Sequence, residues 1–287
     1  MYIDKNFVID RSLKKQLFDK GFFVIKKYFK PKLLREINKE VNKLILNYEN
    51  FLPPRNIKFY KKKLKNLKQP NGTLKEILDN KKLNKGHKYF KNYTNSVSYK
   101  KPLIKIKKLN KLVFDKKLTD LMRYLFNKDV KLGPIKMASF FNNNLPINCI
   151  NYFHSDHLTS NGKKMPKCLK ISISLNANNI IGGEYMHVAK RVNKLKFNKQ
   201  YFEKKIMTDD LKNNLVTPKL SLGDIIVFDP SNFYHAAAKP ERRRNMLYLE
   251  YISLKNKNKT YPNYIEKLTY KKLSNLQKVL ATDFVKI

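Results

Sequence analysis

Short segments of β-type sequence recur through the second half of this 287-residue chain, after a first part that favours helices. Helices followed by many short strands form an α+β pattern, in which the strands are expected to build a jelly-roll barrel, also called a double-stranded β-helix. We predict strands at residues 135–141, 149–154, 168–175, 184–189, 215–217, 225–229 and 244–253.

Apolar residues spaced at the 3.6-residue helical period predict three helices. The first begins at Pro31, which suits the first turn of a helix, and continues to about Tyr48. The second covers 112–125 and ends near Asn127, and the third lies around 265–280. Helices are therefore expected on both sides of the strand-rich region.

No repeat or Gly/Ser linker divides the sequence, so a single domain is expected. A chain of this length with 42% hydrophobic residues has ample material for one large core. We predict a helical N-terminal part at about 1–130, a barrel core at about 131–255 and a helical C-terminal extension at 256–287.

His154 and Asp156 are two residues apart, at the end of the predicted strand 149–154 and just beyond it. Alternate side chains leave the same face of a strand, so both point to one place. His235, far downstream, can supply a third ligand from another strand. Two histidines and one carboxylate leave the opposite side of an iron ion open, as in non-haem Fe(II) oxygenases. The alternative is a surface strand pair that only forms hydrogen bonds.

An arginine follows His235 by nine residues and begins a predicted strand. Arg244 can bind the far carboxylate of a dicarboxylic acid with two parallel hydrogen bonds. Counting back along the strand from Tyr251 places Arg244 inside the barrel, and a shift of one residue would place Arg243 there instead. Lys170 and Ser172 share one face of another strand, which either faces the barrel interior or forms outer surface.

These segments together resemble the phytanoyl-CoA dioxygenase family of Fe(II)/2-oxoglutarate oxygenases. The resemblance touches most of residues 11–253 and is strongest over 150–252. It rests on an opening helix and strand around Leu17-Phe18-Asp19-Lys20-Gly21-Phe22-Phe23-Val24-Ile25, then Phe153-His154-Ser155-Asp156, the strand 170–175, Gly182-Gly183-Glu184, Gly223-Asp224-Ile225-Ile226-Val227-Phe228, His235 and Arg244.

The resemblance implies an Fe(II)- and 2-oxoglutarate-dependent dioxygenase. His154, Asp156 and His235 would hold the metal and act as the catalytic centre. Arg244 would bind 2-oxoglutarate, with Lys170 and Ser172 beside it. The implied reaction hydroxylates a small organic or carrier-linked substrate using O₂, and releases succinate and CO₂.

Two loops depart from the family pattern, so the substrate is not carried over. Met186-His187-Val188 stands where the family often has Pro-Gly-Ser-His, and Ala236-Ala237-Ala238 follows the distal histidine in place of Gly and Ser. Lysines near the expected pocket allow an anionic substrate, and background lysine is the alternative. His187 and His157 are expected to be polar residues rather than ligands, and His87 to be solvated.

The formal net charge of +40 indicates attraction to phosphate-rich partners or anionic surfaces. The charge is spread along the whole chain, which favours a composition bias over a dedicated nucleic-acid surface. A basic nucleic-acid- or anionic-surface-binding protein without catalysis is the alternative function. With two cysteines, no long apolar segment and no secretory leader pattern, we expect a cytoplasmic protein without a membrane span.

Overall fold

A computed structural model describes residues 2–44, 96–140, 167–176, 186–189, 215–216, 218–233, 235–237, 243–256 and 262–287. The strands in these ranges are β1 (Tyr2–Ile3), β2 (Phe22–Ile25), β3 (Ser96–Ser98), β4 (Val130–Phe140), β5 (Cys168–Ser174), β6 (Met186–Ala189), β7 (Leu215–Val216), β8 (Ile225–Phe228), β9 (His235–Ala237), β10 (Arg244–Ser253), β11 (Tyr264–Ile265) and β12 (Val285–Lys286).

Helices flank these strands on both sides in sequence. They are α1 (Arg11–Lys20), α2 (Pro31–Leu44), α3 (Pro102–Lys105), α4 (Asn110–Val113), α5 (Lys116–Phe126), α6 (Lys267–Lys271) and α7 (Asn275–Leu280), with a 3-10 turn at Lys107–Leu109 between α3 and α4. Within the described ranges, no helix is both long enough and apolar enough to cross a membrane.

Seven strands form the main sheet, in the order β1-β2-β8-β5-β10-β4-β3. Only β1 and β2 are parallel, and every other neighbouring pair is antiparallel. A second sheet has the order β7-β6-β9, and β11 pairs with β12 separately. The main sheet is therefore mixed, and two of its strands come from the N-terminal segment before α2.

Alternate residues of the main sheet are buried on opposite sides. One side packs on the helices, because Phe23, Ile171, Val227 and Leu247 belong to the same buried cluster as Leu34 and other apolar residues of α1, α2 and α5. We call the opposite side the inner face. It carries a smaller buried cluster made of Phe22, Val24, Ala138, Phe140, Ile226, Phe228 and Met246, joined by Leu220 and Phe233.

Gly21 ends α1 and lets the chain turn directly into β2. Its φ is +79°, and its N–H donates to the Leu17 carbonyl at 3.0 Å. An added Cβ would lie 2.3 Å from the Phe233 ring, and glycine is therefore the residue that fits both the backbone angle and the space. This contact fixes the turn before β9 against the start of β2.

The Gly223-Asp224 pair has a structural role at the start of β8. Gly223 adopts a φ of +105°, and an added Cβ would lie 2.6 Å from the Phe29 carbonyl oxygen. The buried Asp224 carboxylate accepts a hydrogen bond from the backbone N–H of Lys27 at 2.8 Å and pairs with the Lys26 ammonium at 2.7 Å. These contacts join the end of β2 to the start of β8.

The C-terminal segment binds β4 through one side-chain amide. Asn263 donates from Nδ2 to the Gly133 carbonyl at 2.7 Å, and its Oδ1 accepts from the Ile135 N–H at 3.0 Å. Farther along β4, the Lys131 ammonium, itself 4% exposed, pairs with Asp283 at 2.7 Å. The extension is thus attached to the sheet by specific polar contacts as well as by apolar packing.

The α+β prediction is confirmed, and β5, β7, β8 and β10 match the predicted strands to within one residue. β4 begins at Val130, five residues before the predicted strand 135–141, and the short strands β1, β3, β11 and β12 were not predicted. The predicted strand at 149–154 lies outside the described residues, and closure of a jelly-roll barrel stays a prediction. The predicted helix at 112–125 is wrong in its bounds: Asp115 divides it, because its carboxylate accepts from the Leu118 N–H at 3.0 Å and begins α5 there. The third predicted helix is likewise divided into α6 and α7.

Candidate metal and cosubstrate site

Two adjacent arginines at the start of β10 lie in opposite environments. Arg244 is 5% exposed and shares the inner face with Met246 and Tyr248, as the strand alternation predicted. Arg243 is exposed, and its Nη2 donates to Asn42 of α2 at 2.5 Å. Of these two, the structure therefore brings Arg244 to the inner face.

The Arg244 guanidinium lies over an aromatic ring and near a phenol. Its Cζ is 5.3 Å from the centre of the Phe140 ring, a cation–π geometry. Burial raises the pKa of Tyr248, and the charges of Arg244 and Lys170 together with a hydrogen bond from Ser172 offset part of that effect. The Tyr248 hydroxyl is thus neutral at ordinary pH and available as a hydrogen-bond donor beside a buried positive charge.

The face carrying Lys170, Ser172 and Ser174 is the inner face. Ser172 lies directly opposite Tyr248, and Ser174 lies opposite Met246. Both serines are buried, at 2% and 1% exposure. The burial of both serines removes the alternative that this face is outer surface. Their hydroxyl groups lie on the inner face between Arg244 and Lys170.

Lys170 occupies the more open end of the same face. Its ammonium pairs with Glu250 at 3.3 Å, and the two side chains are 20% and 22% exposed. In register it lies opposite Glu250 on one side and Phe228 on the other. The inner face therefore changes from a closed end at Arg244 to a more accessible end at Lys170.

His235 begins β9 in the second sheet and contacts this inner face. It is 7% exposed, and its ring is 5.4 Å from the Phe228 ring in an edge-on arrangement. Its Nδ1 lies 3.3 Å from the Phe233 carbonyl oxygen. If Nδ1 donates this bond, the ring's lone pair is on Nε2, the nitrogen that would bind a metal.

A turn that the sequence analysis did not identify leads into His235. The Asp229 carboxylate accepts from the N–H of Ser231 at 3.0 Å and of Asn232 at 3.1 Å, and the Asp229 N–H donates to the Gly21 carbonyl at 2.9 Å. Ser231 Oγ also accepts from the Cys168 N–H at 3.0 Å. The signal was present in Asp229-Pro230-Ser231-Asn232, a typical Asx-turn sequence.

The other predicted site residues are placed in part or not at all. His154, Asp156, His157 and His87 lie outside the described residues. His187 is described only through its backbone, opposite Ala236 in the pairing of β6 with β9. Across the described ranges, no group of three His, Cys, Asp or Glu residues is arranged to hold a metal, and His235 is the one predicted ligand that falls within them.

The described residues suit both expected groups, a metal ion at His235 and a carboxylate at Arg244. A buried imidazole with one nitrogen at a carbonyl is a common arrangement for a metal ligand. A buried guanidinium with Ser172 and Tyr248 along the same face suits a carboxylate, because the fork supplies charge and the hydroxyls supply further donors.

No protein-family model matches the chain, and no curated protein matches its sequence. Its fold is similar to that of HygX from Streptomyces hygroscopicus, solved with nickel and 2-oxoglutarate bound, with a TM-score of 0.57 and 12% identity over 90% of this chain and 91% of HygX.

Two further solved structures have the same fold. The epimerase SnoN, in complex with Fe3+, alpha ketoglutarate and nogalamycin RO, has a TM-score of 0.54 and 12% identity over 85% of this chain and 83% of its own. EctD from S. alaskensis, with 2-oxoglutarate and 5-hydroxyectoine, has a TM-score of 0.55 and 15% identity over 88% and 78%. The chain thus has the fold of non-haem, 2-oxoglutarate-dependent enzymes.

Proposed function

We propose that this chain is an Fe(II)- and 2-oxoglutarate-dependent dioxygenase that hydroxylates a small organic or carrier-linked substrate, within or close to the phytanoyl-CoA dioxygenase family. The observation that carries the proposal is the inner face itself. A buried Arg244 lies at its closed end, and a buried His235 contacts its other part through Phe228. The fold shared with HygX, SnoN and EctD supports the same class.

In this proposal His154, Asp156 and His235 hold Fe(II), and Arg244 binds the far carboxylate of 2-oxoglutarate. The iron and 2-oxoglutarate together supply O₂ activation and C–H oxidation, with succinate and CO₂ as coproducts. Ser172 and Tyr248 add hydroxyl groups along the cosubstrate. The apolar residues of the inner face exclude water from the reacting atoms.

Lys170 has a different position from Arg244, and we propose a different contribution. The strand position opposite Lys170 is six residues from Arg244, or about 20 Å at about 3.3 Å per residue. Lys170 lies opposite Phe228, at the part of the face that His235 contacts, and its ammonium already pairs with Glu250. Lys170 therefore favours the dianion through its charge rather than through direct contact with the far carboxylate.

The accessible end of the inner face supports the proposed substrate class. Lys170 and Glu250 lie there, and Lys136 is exposed opposite Tyr248. This polar lining suits a small molecule with charged groups, anionic compounds among them, and we propose no specific nucleic-acid partner. Hydroxylation is proposed as the outcome, although SnoN is described as an epimerase on the same fold. A cytoplasmic setting, where iron stays reduced, fits the proposal.

The test is an anaerobic titration of the Fe(II)-loaded protein with 2-oxoglutarate, followed by visible charge-transfer absorption. We expect the wild type to develop the band and His235→Ala to lose it. Arg244→Ala should raise the half-saturating 2-oxoglutarate concentration by a factor of tens to thousands, since losing a charged fork costs roughly 2–5 kcal/mol.

Arg243→Ala is the matched control, because it removes the same charge one residue away on the exposed side. It should leave the half-saturating concentration nearly unchanged. A wild type without the band, or a band that survives in His235→Ala with unchanged intensity, would show that the metal assignment is wrong. Equal effects of the two arginine variants would contradict the cosubstrate assignment.

A further inference from the structure

At Arg244, β10 has a paired strand on one side only. On that side it pairs with β4, and on the β5 side, side-chain contacts take the place of strand pairing. β10 pairs with β4 from Arg244 onward, opposite Phe140. Its pairing with β5 begins two residues later, where Met246 lies opposite Ser174. The start of β10 therefore extends beyond the end of β5, at the point where the proposed cosubstrate-binding arginine is attached.

One side-chain amide supplies the bonds that a longer β5 would make. Asn176 Oδ1 accepts from the backbone N–H of Asn245 at 2.7 Å, and its Nδ2 donates to the carbonyl of Arg243 at 2.8 Å. The Leu175 N–H donates to the Asn245 carbonyl at 2.9 Å. The Asn176 amide thus acts as a substitute peptide group, and its two bonds lie on either side of Arg244.

The residues next to Arg244 are also fixed to the helix side of the sheet. The Asn245 side chain is fully buried and donates from Nδ2 to Asn38 of α2 at 2.6 Å. Its Oδ1 accepts from the hydroxyl of Ser139 on β4, and that hydroxyl lies 2.7 Å from the Tyr99 hydroxyl. Asn245 therefore cannot turn inward without breaking a buried hydrogen-bond network, which holds Arg244 on the inner face.

We propose that Asn176 is a positioning residue for 2-oxoglutarate. Its amide holds the backbone on both sides of Arg244, so that the guanidinium meets the far carboxylate in a fixed geometry. A bidentate pair loses strength when its partners shift by a fraction of an ångström, and a correctly placed backbone is therefore part of the binding energy. This inference rests on the proposed function, in which Arg244 binds that carboxylate.

The experiment compares two oxoacids that differ only at the far end. Binding of 2-oxoglutarate and of 2-oxopentanoate, which lacks the second carboxylate, is measured calorimetrically on anaerobic Fe(II)-loaded protein. We expect the wild type to prefer 2-oxoglutarate strongly. Asn176→Ala should weaken 2-oxoglutarate binding about tenfold, as for the loss of two hydrogen bonds, and leave 2-oxopentanoate and Fe(II) binding unchanged.

Asn263 provides the matched control, because its amide makes the same pair of backbone bonds on β4, away from Arg244. Asn263→Ala should lower the melting temperature about as much as Asn176→Ala, with no change in 2-oxoglutarate affinity. If Asn176→Ala does not fold, Asn176→Asp keeps the shape and the Asn245 bond, cannot donate to Arg243, and should show the same selective loss.

Each outcome decides the matter. Equal weakening of both oxoacids by the Asn176 variants, or unchanged 2-oxoglutarate affinity, overturns the positioning role while Arg244 keeps its proposed one. An equal loss of 2-oxoglutarate affinity in Asn263→Ala also overturns it. A wild type that does not distinguish the two oxoacids instead overturns the proposed function and, with it, this inference.

Discussion

The contact between Gly21 and Phe233 influences the position of His235, the proposed metal ligand. The Phe233 ring packs on Gly21, and the Phe233 carbonyl lies beside His235 Nδ1. The Gly21 carbonyl also accepts from the Asp229 N–H, at the turn before β9. The place of His235 therefore depends on a position in the N-terminal segment where any side chain would collide with the ring.

Gly21→Ala should destabilise the fold by about 2–4 kcal/mol, since a left-handed backbone angle and a collision with a buried ring both oppose the added methyl group. The measurement is urea unfolding followed by circular dichroism. Gly133→Ala is the control: its Cβ would meet the flexible end of Glu250 at 3.2 Å, so the change should stay within about 1 kcal/mol. Similar losses in both variants would contradict the account.

At the level of elements, Asp115 has two roles at the start of α5. Its carboxylate accepts from the Leu118 N–H at 3.0 Å, which caps the helix. The same oxygen accepts from the Tyr28 hydroxyl at 2.6 Å. Burial is the largest cause, and this bond the second largest, of a Tyr28 pKa far above its usual value. The break between α4 and α5 is thus fixed by a contact to the segment between β2 and α2.

Asp115→Ala should lower the free energy of unfolding by about 2–4 kcal/mol, because it removes a helix cap and leaves the Tyr28 hydroxyl without its acceptor. Asp10→Ala removes a comparable cap from α1, where Asp10 accepts from the Ser12 N–H at 2.9 Å on the surface, and should cost less. Chemical unfolding of both variants gives the comparison. A loss for Asp10→Ala as large as that for Asp115→Ala would show that the Tyr28 bond is unimportant.

Local patterns in the sequence were enough to predict most of the longer strands and the side of β10 that carries Arg244. Strand alternation depends only on neighbouring residues, which is why counting back from Tyr251 gave the correct parity. The contacts of Asn176 with β10 and of Asn263 with β4 join residues 69 and 130 apart in sequence, respectively. No local periodicity encodes such contacts. The break at Asp115 was missed for a different reason: its cap to Leu118 is a local contact, but the apolar helical period continues across it.

For the whole molecule, Tyr99 and Tyr251 are buried in a chain with a formal net charge of +40. Burial raises the pKa of Tyr99 to about 12, with the Ser139 bond and the Arg243 charge opposing the shift. Burial also raises the pKa of Tyr251. A folded-state pKa above the unfolded one means that the folded state keeps its protons longer, so stability is fully present below pH 10 and is lost as the pH rises towards 12.

Tyr99→Phe should reduce the steepness of alkaline unfolding. The wild type is expected to lose up to about 3 kcal/mol through Tyr99 between about pH 10 and pH 12, and the variant should lack that part. Lysine deprotonation in the same range affects both proteins equally, so the difference between them isolates the tyrosine. The measurement is urea unfolding of both proteins at several pH values in this range. If the free energy of unfolding falls equally steeply with pH in both proteins, the prediction is wrong.

The strand order places very short strands at both ends of the main sheet. β1 has two residues and β3 has three, and the longer stretch of β4 beyond β3 is bound at Gly133 and Ile135 by Asn263. Exposed sheet edges are templates on which other chains add as further strands and aggregate. In the described part of the sheet, the short end strands and the Asn263 contacts shorten the runs of backbone on which a neighbouring chain could add a strand.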